Sequence, residues 1–122
     1  MGLINMFLGL EDIEVNGNMH VGTFQKQFKK AFGTDIRVYK AKADGTLNSG
    51  KGAKSAPTKS TLARICAKGQ KVEDLTIKKS KTVGDIEKEF AKKMGIGIQI
   101  MLPDGSGFAD NSVRLKDVAK AV

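Results

Sequence analysis

Residues 72–102, VEDLTIKKSKTVGDIEKEFAKKMGIGIQIML, align without a gap on residues 10–40, LEDIEVNGNMHVGTFQKQFKKAFGTDIRVYK. The offset is 62 positions throughout, with Leu10 opposite Val72 and Lys40 opposite Leu102. Identities fall at Glu11/Glu73, Asp12/Asp74, Val21/Val83, Gly22/Gly84, Lys26/Lys88, Phe28/Phe90, Lys30/Lys92, Gly33/Gly95 and Ile36/Ile98. Apolar residues match like for like between them, as in Val15/Ile77, Phe24/Ile86 and Val38/Ile100. Once a gap is allowed, Leu62 and Ile65 match Leu115 and Val118. The chain therefore reads as one unit of roughly fifty residues written twice, a first repeat over 10–69 and a second over 72–122.

Each unit carries the same physical signals. Ile13 and Val15 alternate with polar neighbours, as do Leu75 and Ile77, and a period of two predicts a half-buried strand. Val21, Phe24, Phe28 and Phe32 recur at helical spacing, as do Val83, Ile86, Phe90 and Met94, each set opposite a lysine-rich face. Thr82 followed by Asp85 fits an N-terminal capping box, and Gly33 and Gly95 stand where a helix exit favours a left-handed residue. Second strands are expected over Asp35 to Tyr39 and Gly97 to Met101, and short helices or turns at Leu62 and Leu115. The expected fold is α+β, with duplicated strand-helix-strand-short-helix units forming one sheet that has helices packed on one face. At 122 residues, one compact domain over 1–122 with a shared core is expected.

The segment TVGDIEKEFAKKMGI, followed by LPDGSGFADNSVRLKDVA, resembles the ubiquitin-like β-grasp pattern. The resemblance rests on Thr82 and Val83 at the helix start, Gly95 and Ile96 at its exit, and the Leu115 to Asp117 segment. It implies a β-grasp-like unit that binds another protein through its sheet face or an edge, with the first repeat borrowing the strand at Val72 to Ile77. The opening hairpin of that family is not evident before the second helix. The chain ends in Ala119 to Val122 instead of a Gly-Gly tail, so no role as a transferable modifier is implied.

Hydrophobic residues make up 40% of the chain and charged ones 28%, which is too apolar for wholesale disorder. Cys66 is the only cysteine, so no intramolecular disulfide or thiolate cluster forms, which points to a reducing, cytoplasmic setting. Leu62 and Ile65 beside it suggest a buried thiol. The N-terminal MGLINMFLGL lacks a basic n-region and is shorter than the ~20 residues of a membrane span, so it is expected to cover the core as an extra strand or helix.

Chemistry is sparse. His20 is the only histidine and has no second imidazole or nearby cysteine to work with. Glu11 with Asp12, repeated as Glu73 with Asp74, would perform acid-base or metal chemistry only if the pairs converged in a cleft. As strand-entrance residues present in both repeats they read as structural. GTLNSGKG over 45–52 has the glycine and lysine spacing of a phosphate-binding loop, but Gly52 replaces the hydroxyl that would ligate magnesium and Pro57 interrupts the required helix. No catalytic residue, cofactor site or metal site is expected.

The formal charge of +8 is concentrated. Residues 41–71 carry seven Lys/Arg against one Asp, whereas the segments before and after are nearly balanced. The excess sits in a basic loop over 41–60 and just beyond it. Lys51, Lys54, Lys59 and Arg64, with the helix lysines Lys26, Lys30, Lys88 and Lys92, are the expected partner-binding residues. The expected function is a non-catalytic protein-protein interaction module whose basic loop favours an acidic partner, and which can also associate with itself as a homo-oligomer. The alternative is nucleic-acid binding of low sequence specificity, through that loop and lysine-rich faces that also include Lys29 and Lys93.

Overall fold

The computed structural model describes residues 11–42, 44–47 and 55–119. The apolar segment 1–10, Lys51 and Lys54 lie outside the described residues. The element order is β1 (Ile13–Val15), α1 (Val21–Phe32), β2 (Ile36–Tyr39), α2 (Leu62–Ile65), β3 (Leu75–Ile77), α3 (Val83–Met94), β4 (Gly97–Ile100) and α4 (Leu115–Val118). The fold is mixed α+β. Among the described residues no helix is long and apolar enough to cross a membrane.

Both long helices bury the stripe that their spacing predicts, Val21, Phe24, Phe28 and Phe32 on α1 and Val83, Ile86, Phe90 and Met94 on α3. Thr82 caps α3 by accepting a hydrogen bond from the Asp85 amide at 3.2 Å. His20 occupies the matching place before α1 with no side-chain cap, because an imidazole is a poor mimic of a capping hydroxyl. Gly33 and Gly95 end the helices at φ 73° and 65°, the left-handed region that a Cβ disfavours.

The strands do not form the single sheet expected. They make two separate antiparallel pairs, β1 with β3 and β2 with β4. Each pair joins the two halves of the chain and is centred on matching positions. Glu14 faces Thr76, and Arg37 faces Gln99, each partner 62 residues further on. The outer edge of β2 is taken by a bridge from Tyr39 to Ser55, and that of β4 by one from Met101 to Phe108. With those positions occupied and each strand only three or four residues long, the pairs do not merge.

Loop contacts recur in both halves as well. Val21 N–H donates to Ser60 O at 2.9 Å and Gly22 N–H to Thr58 O at 3.0 Å; Val83 donates to Val113 O at 2.9 Å and Gly84 to Asn111 O at 3.0 Å. Ala56 N–H donates to Val38 O, and Ala109 N–H to Ile100 O, each at 2.8 Å. Glycines at matching positions of the two halves serve this approach. A Cβ on Gly22 would stand 3.2 Å from Thr58 Cβ, and one on Gly84 would stand 3.1 Å from Asn111 Cβ.

One hydrophobic cluster contains residues of both halves. Phe24 bridges them, with its ring centroid 6.1 Å from that of Phe28 and 5.4 Å from that of Phe90. Phe28 continues to Phe32 at 5.0 Å. Thr34 is the one buried polar side chain among the described residues, and its hydroxyl donates to the Met101 carbonyl. Cys66 is only half-buried, because it closes the exposed end of α2, and its Sγ donates to Ala63 O at 3.2 Å.

Candidate docking cleft

A cleft of about 620 Å³ runs along α1, and its residues come from four places in the chain. Thr23, Lys26 and Lys29 come from successive turns of α1, His20 stands at the helix entrance, Thr58 and Lys59 come from the loop before α2, and Asp35 precedes β2. Pro57 starts that loop, Ser60 N–H closes it onto Pro57 O at 3.1 Å, and the bonds from Val21 and Gly22 hold it to the helix. Lys59 is thereby placed beside Lys26 by hydrogen-bonded backbone. Gln25 is anchored too, since its Nε2 donates to Ile36 O at 3.1 Å.

Three lysines against one aspartate leave the cleft with two net positive charges. Lys29 pairs with Asp35 at 3.4 Å, but the side chains are 66% and 59% exposed. Solvent screening leaves such a pair with little binding energy, so Lys29 remains available to another anion.

A second cleft, of about 210 Å³, occupies the equivalent place on α3. Gly84, Glu87, Lys88, Ala91, Gly97 and Asn111 line it, at the positions of Gly22, Gln25, Lys26, Lys29, Asp35 and Thr58. Its charge is different. Ala91 stands for Lys29, and Glu87 offsets Lys88, so the lining is neutral. Partial burial raises the Glu87 carboxyl above its usual range, with a hydrogen bond at the Ile100 backbone pulling the other way. Leu47, which comes from the first half, also lines this cleft.

Leu47 follows a tight turn. The Asp44 carboxylate accepts the Thr46 hydroxyl at 2.7 Å and the Thr46 amide at 2.9 Å, and the first of these bonds leads in lowering the Asp44 pKa. Lys68 N–H fastens the turn through Gly45 O at 2.7 Å. A similar turn stands in the second half, where Ser106 N–H donates to Asp104 at 2.9 Å. That turn closes as the first does, with Leu102 N–H donating to Gly107 O and Lys42 N–H to Thr46 O, each at 2.9 Å. No residue of that turn lines the first cleft.

The structure brings together two of the eight expected binding residues, Lys26 and Lys59. Lys88 lies in the second cleft. Lys30, Lys92 and Arg64 are exposed on α1, α3 and α2 but line neither cleft. Grouping lysines by loop and by helix missed the joint cleft, and His20 and Thr58 as part of its lining, while Lys29 had entered only as a helix-face lysine. A signal for it was present in the alignment, where His20/Thr82 and Lys29/Ala91, with Lys59/Ser112 after the gap, are positions at which the repeats differ in charge or polarity.

Among the described residues, no group of three or more His, Cys, Asp or Glu side chains is placed to hold a metal ion, so Glu11, Asp12, Glu73 and Asp74 do not converge. The one exposed large apolar side chain among the described residues is Phe108, at 48% exposure, with the Arg37 guanidinium 5.4 Å from its ring centroid. No protein-family model, curated protein sequence or solved structure matches the chain.

Proposed function

We propose that this protein is a non-catalytic interaction module, formed by duplication of one strand-helix-strand unit, that docks an acidic segment of a protein partner in the α1 cleft. The observation that carries this reading is the difference between two clefts of the same construction, one basic and open, the other neutral and narrowed by Leu47. Cleft shape alone would predict the same chemistry at both. Charge has been placed at one, and clustered lysines in a concave surface attract and orient an anionic partner. The β-grasp likeness suggests binding through a sheet edge, but Ser55 and Phe108 take the outer edges of β2 and β4, which favours the cleft.

A pull-down from nuclease-treated lysate tests the reading. Wild type retains a defined protein, a variant with Lys26, Lys29 and Lys59 changed to Ser does not, and changes at Lys88 and Lys92 leave retention intact. Retention only of nuclease-sensitive material contradicts it.

The rival reading, weakly specific nucleic-acid binding, draws support from Phe108 and Arg37, since an exposed ring beside a guanidinium offers a stacking surface for a base. It predicts a salt slope of about 0.9 per phosphate contact on duplex DNA, and loss of affinity in Phe108→Ala.

A further inference from the structure

The two clefts are alike in backbone construction, and one of them draws part of its lining from the other half of the chain. Leu47 reaches the second cleft because fifteen residues separate Tyr39 from its bridge partner Ser55, whereas only six separate Met101 from Phe108. The shorter connection supplies nothing to the α1 cleft. The second cleft is thus completed by a leucine that follows a turn carrying a carboxylate, in the run Asp44, Gly45, Thr46, Leu47. Gly84, Ala91 and Ile98 line the same cleft as Leu47.

Gly22, Thr23, Lys26 and Lys29 line the α1 cleft, and long charged side chains can lay apolar stems along a surface while their heads stay in water. Lys59 adds a third lysine to the same lining.

We propose that the α1 cleft takes, from a separate protein, a short turn or loop segment that places a leucine-sized aliphatic side chain over Gly22 and the lysine stems, flanked by carboxylates that pair with Lys26, Lys29 and Lys59. The segment is the counterpart in trans of the Asp44 to Leu47 turn on the second cleft. This specification rests on the acidic-partner reading above and adds the apolar anchor. Charge alone attracts any polyanion; the anchor selects among them.

The test uses isotopically labelled protein followed by amide chemical shifts. The probes are the capped octapeptide EEDGTLEE, its leucine-to-serine form EEDGTSEE, the charge-reversed KKDGTLKK, and an oligothymidylate of equal length. The expected result is saturable shifts at His20, Lys26 and Lys59 with EEDGTLEE, binding about tenfold weaker for EEDGTSEE, and none for KKDGTLKK. The double variant Lys26→Ser, Lys59→Ser loses the response while its other amide shifts stay in place, which shows that it is folded. Equal affinity for EEDGTLEE and EEDGTSEE overturns the aliphatic anchor and leaves the acidic-partner reading standing. Absence of saturable shifts with both acidic peptides, or shifts confined to α3, overturns both. Tighter binding of the oligothymidylate at the same three residues overturns both in favour of nucleic acid.

Discussion

The Phe24 ring packs on Phe90 at 5.4 Å between centroids, inclined by 41°, and this contact joins the helix of one half to the helix of the other. Both rings are fully buried. Each of Phe24→Ala and Phe90→Ala is expected to cost about 3–5 kcal/mol by loss of burial and creation of a cavity. Their effects should be non-additive by about 0.5–1.5 kcal/mol, the usual range for an aromatic pair. Urea unfolding of the two single variants and the double variant measures this. Additive losses would show that the halves do not share this contact.

Gly22 and Gly84 predict a paired outcome. In an ordinary helix interior, alanine in place of glycine gains about 1 kcal/mol. Here the added Cβ would lie 3.3 Å from Thr58 O or 3.2 Å from Asn111 O, the carbonyls that these glycine amides bond. Each substitution should therefore destabilise, by about 1 kcal/mol. Gly22→Ala should also shift the Lys59 amide signal, since Lys59 adjoins the displaced Thr58.

Glu87 and Gln25 occupy matching places, and the Gln25 amide donates to a carbonyl, which an ionised carboxylate cannot do. The Glu87 carboxyl titrates above its ordinary value of 4.5 in the folded chain. A raised folded pKa means that its contribution to stability is fully present below pH 4.5 and is lost as the pH rises through the folded value. Glu87→Gln should then be more stable than wild type at pH 7 and show no advantage at about pH 3.5, below the carboxyl's ordinary range, a contrast read from thermal melts at both values. An advantage that is constant across pH would contradict the burial argument.

Leu47 narrows the second cleft, so Leu47→Ser should free that surface. We expect a cost of about 1 kcal/mol, below the value for a fully buried leucine because Leu47 is only half-buried. The shifted amides should include Gly84 and Ile98 and leave the α1 cleft untouched. Movement of Lys26 or Lys59 signals would show that the two clefts are coupled.

Much of the architecture was legible from local signals. Phenylalanines four residues apart on α1, and glycines at the helix exits, mark those elements because helical periodicity and left-handed backbone are local properties. The strand pairs were less legible. Ile13–Val15 and Leu75–Ile77 have the same alternation whether they lie in one sheet or two, and only the bridges at Ser55 and Phe108 distinguish the cases. The cleft was legible in charge but not in shape. Lys59 and Lys26 are far apart in the chain, and they come to line one cleft where Gly22 N–H donates to Thr58 O, a contact that leaves no periodic trace. Leu47 is harder still, since its place on the second cleft depends on a turn fastened to Lys68.

The most direct test of the acidic-partner reading is calorimetric binding of a polyglutamate peptide to two triple variants of equal charge. One changes Lys26, Lys29 and Lys59 to Ser; the other changes Lys88, Lys92 and Lys93 to Ser. Each variant loses the same positive charge, so diffuse attraction predicts the same weakening in both. A docking cleft on α1 predicts that only the first variant loses binding while the second keeps an affinity close to wild type. Equal weakening of the two would contradict it.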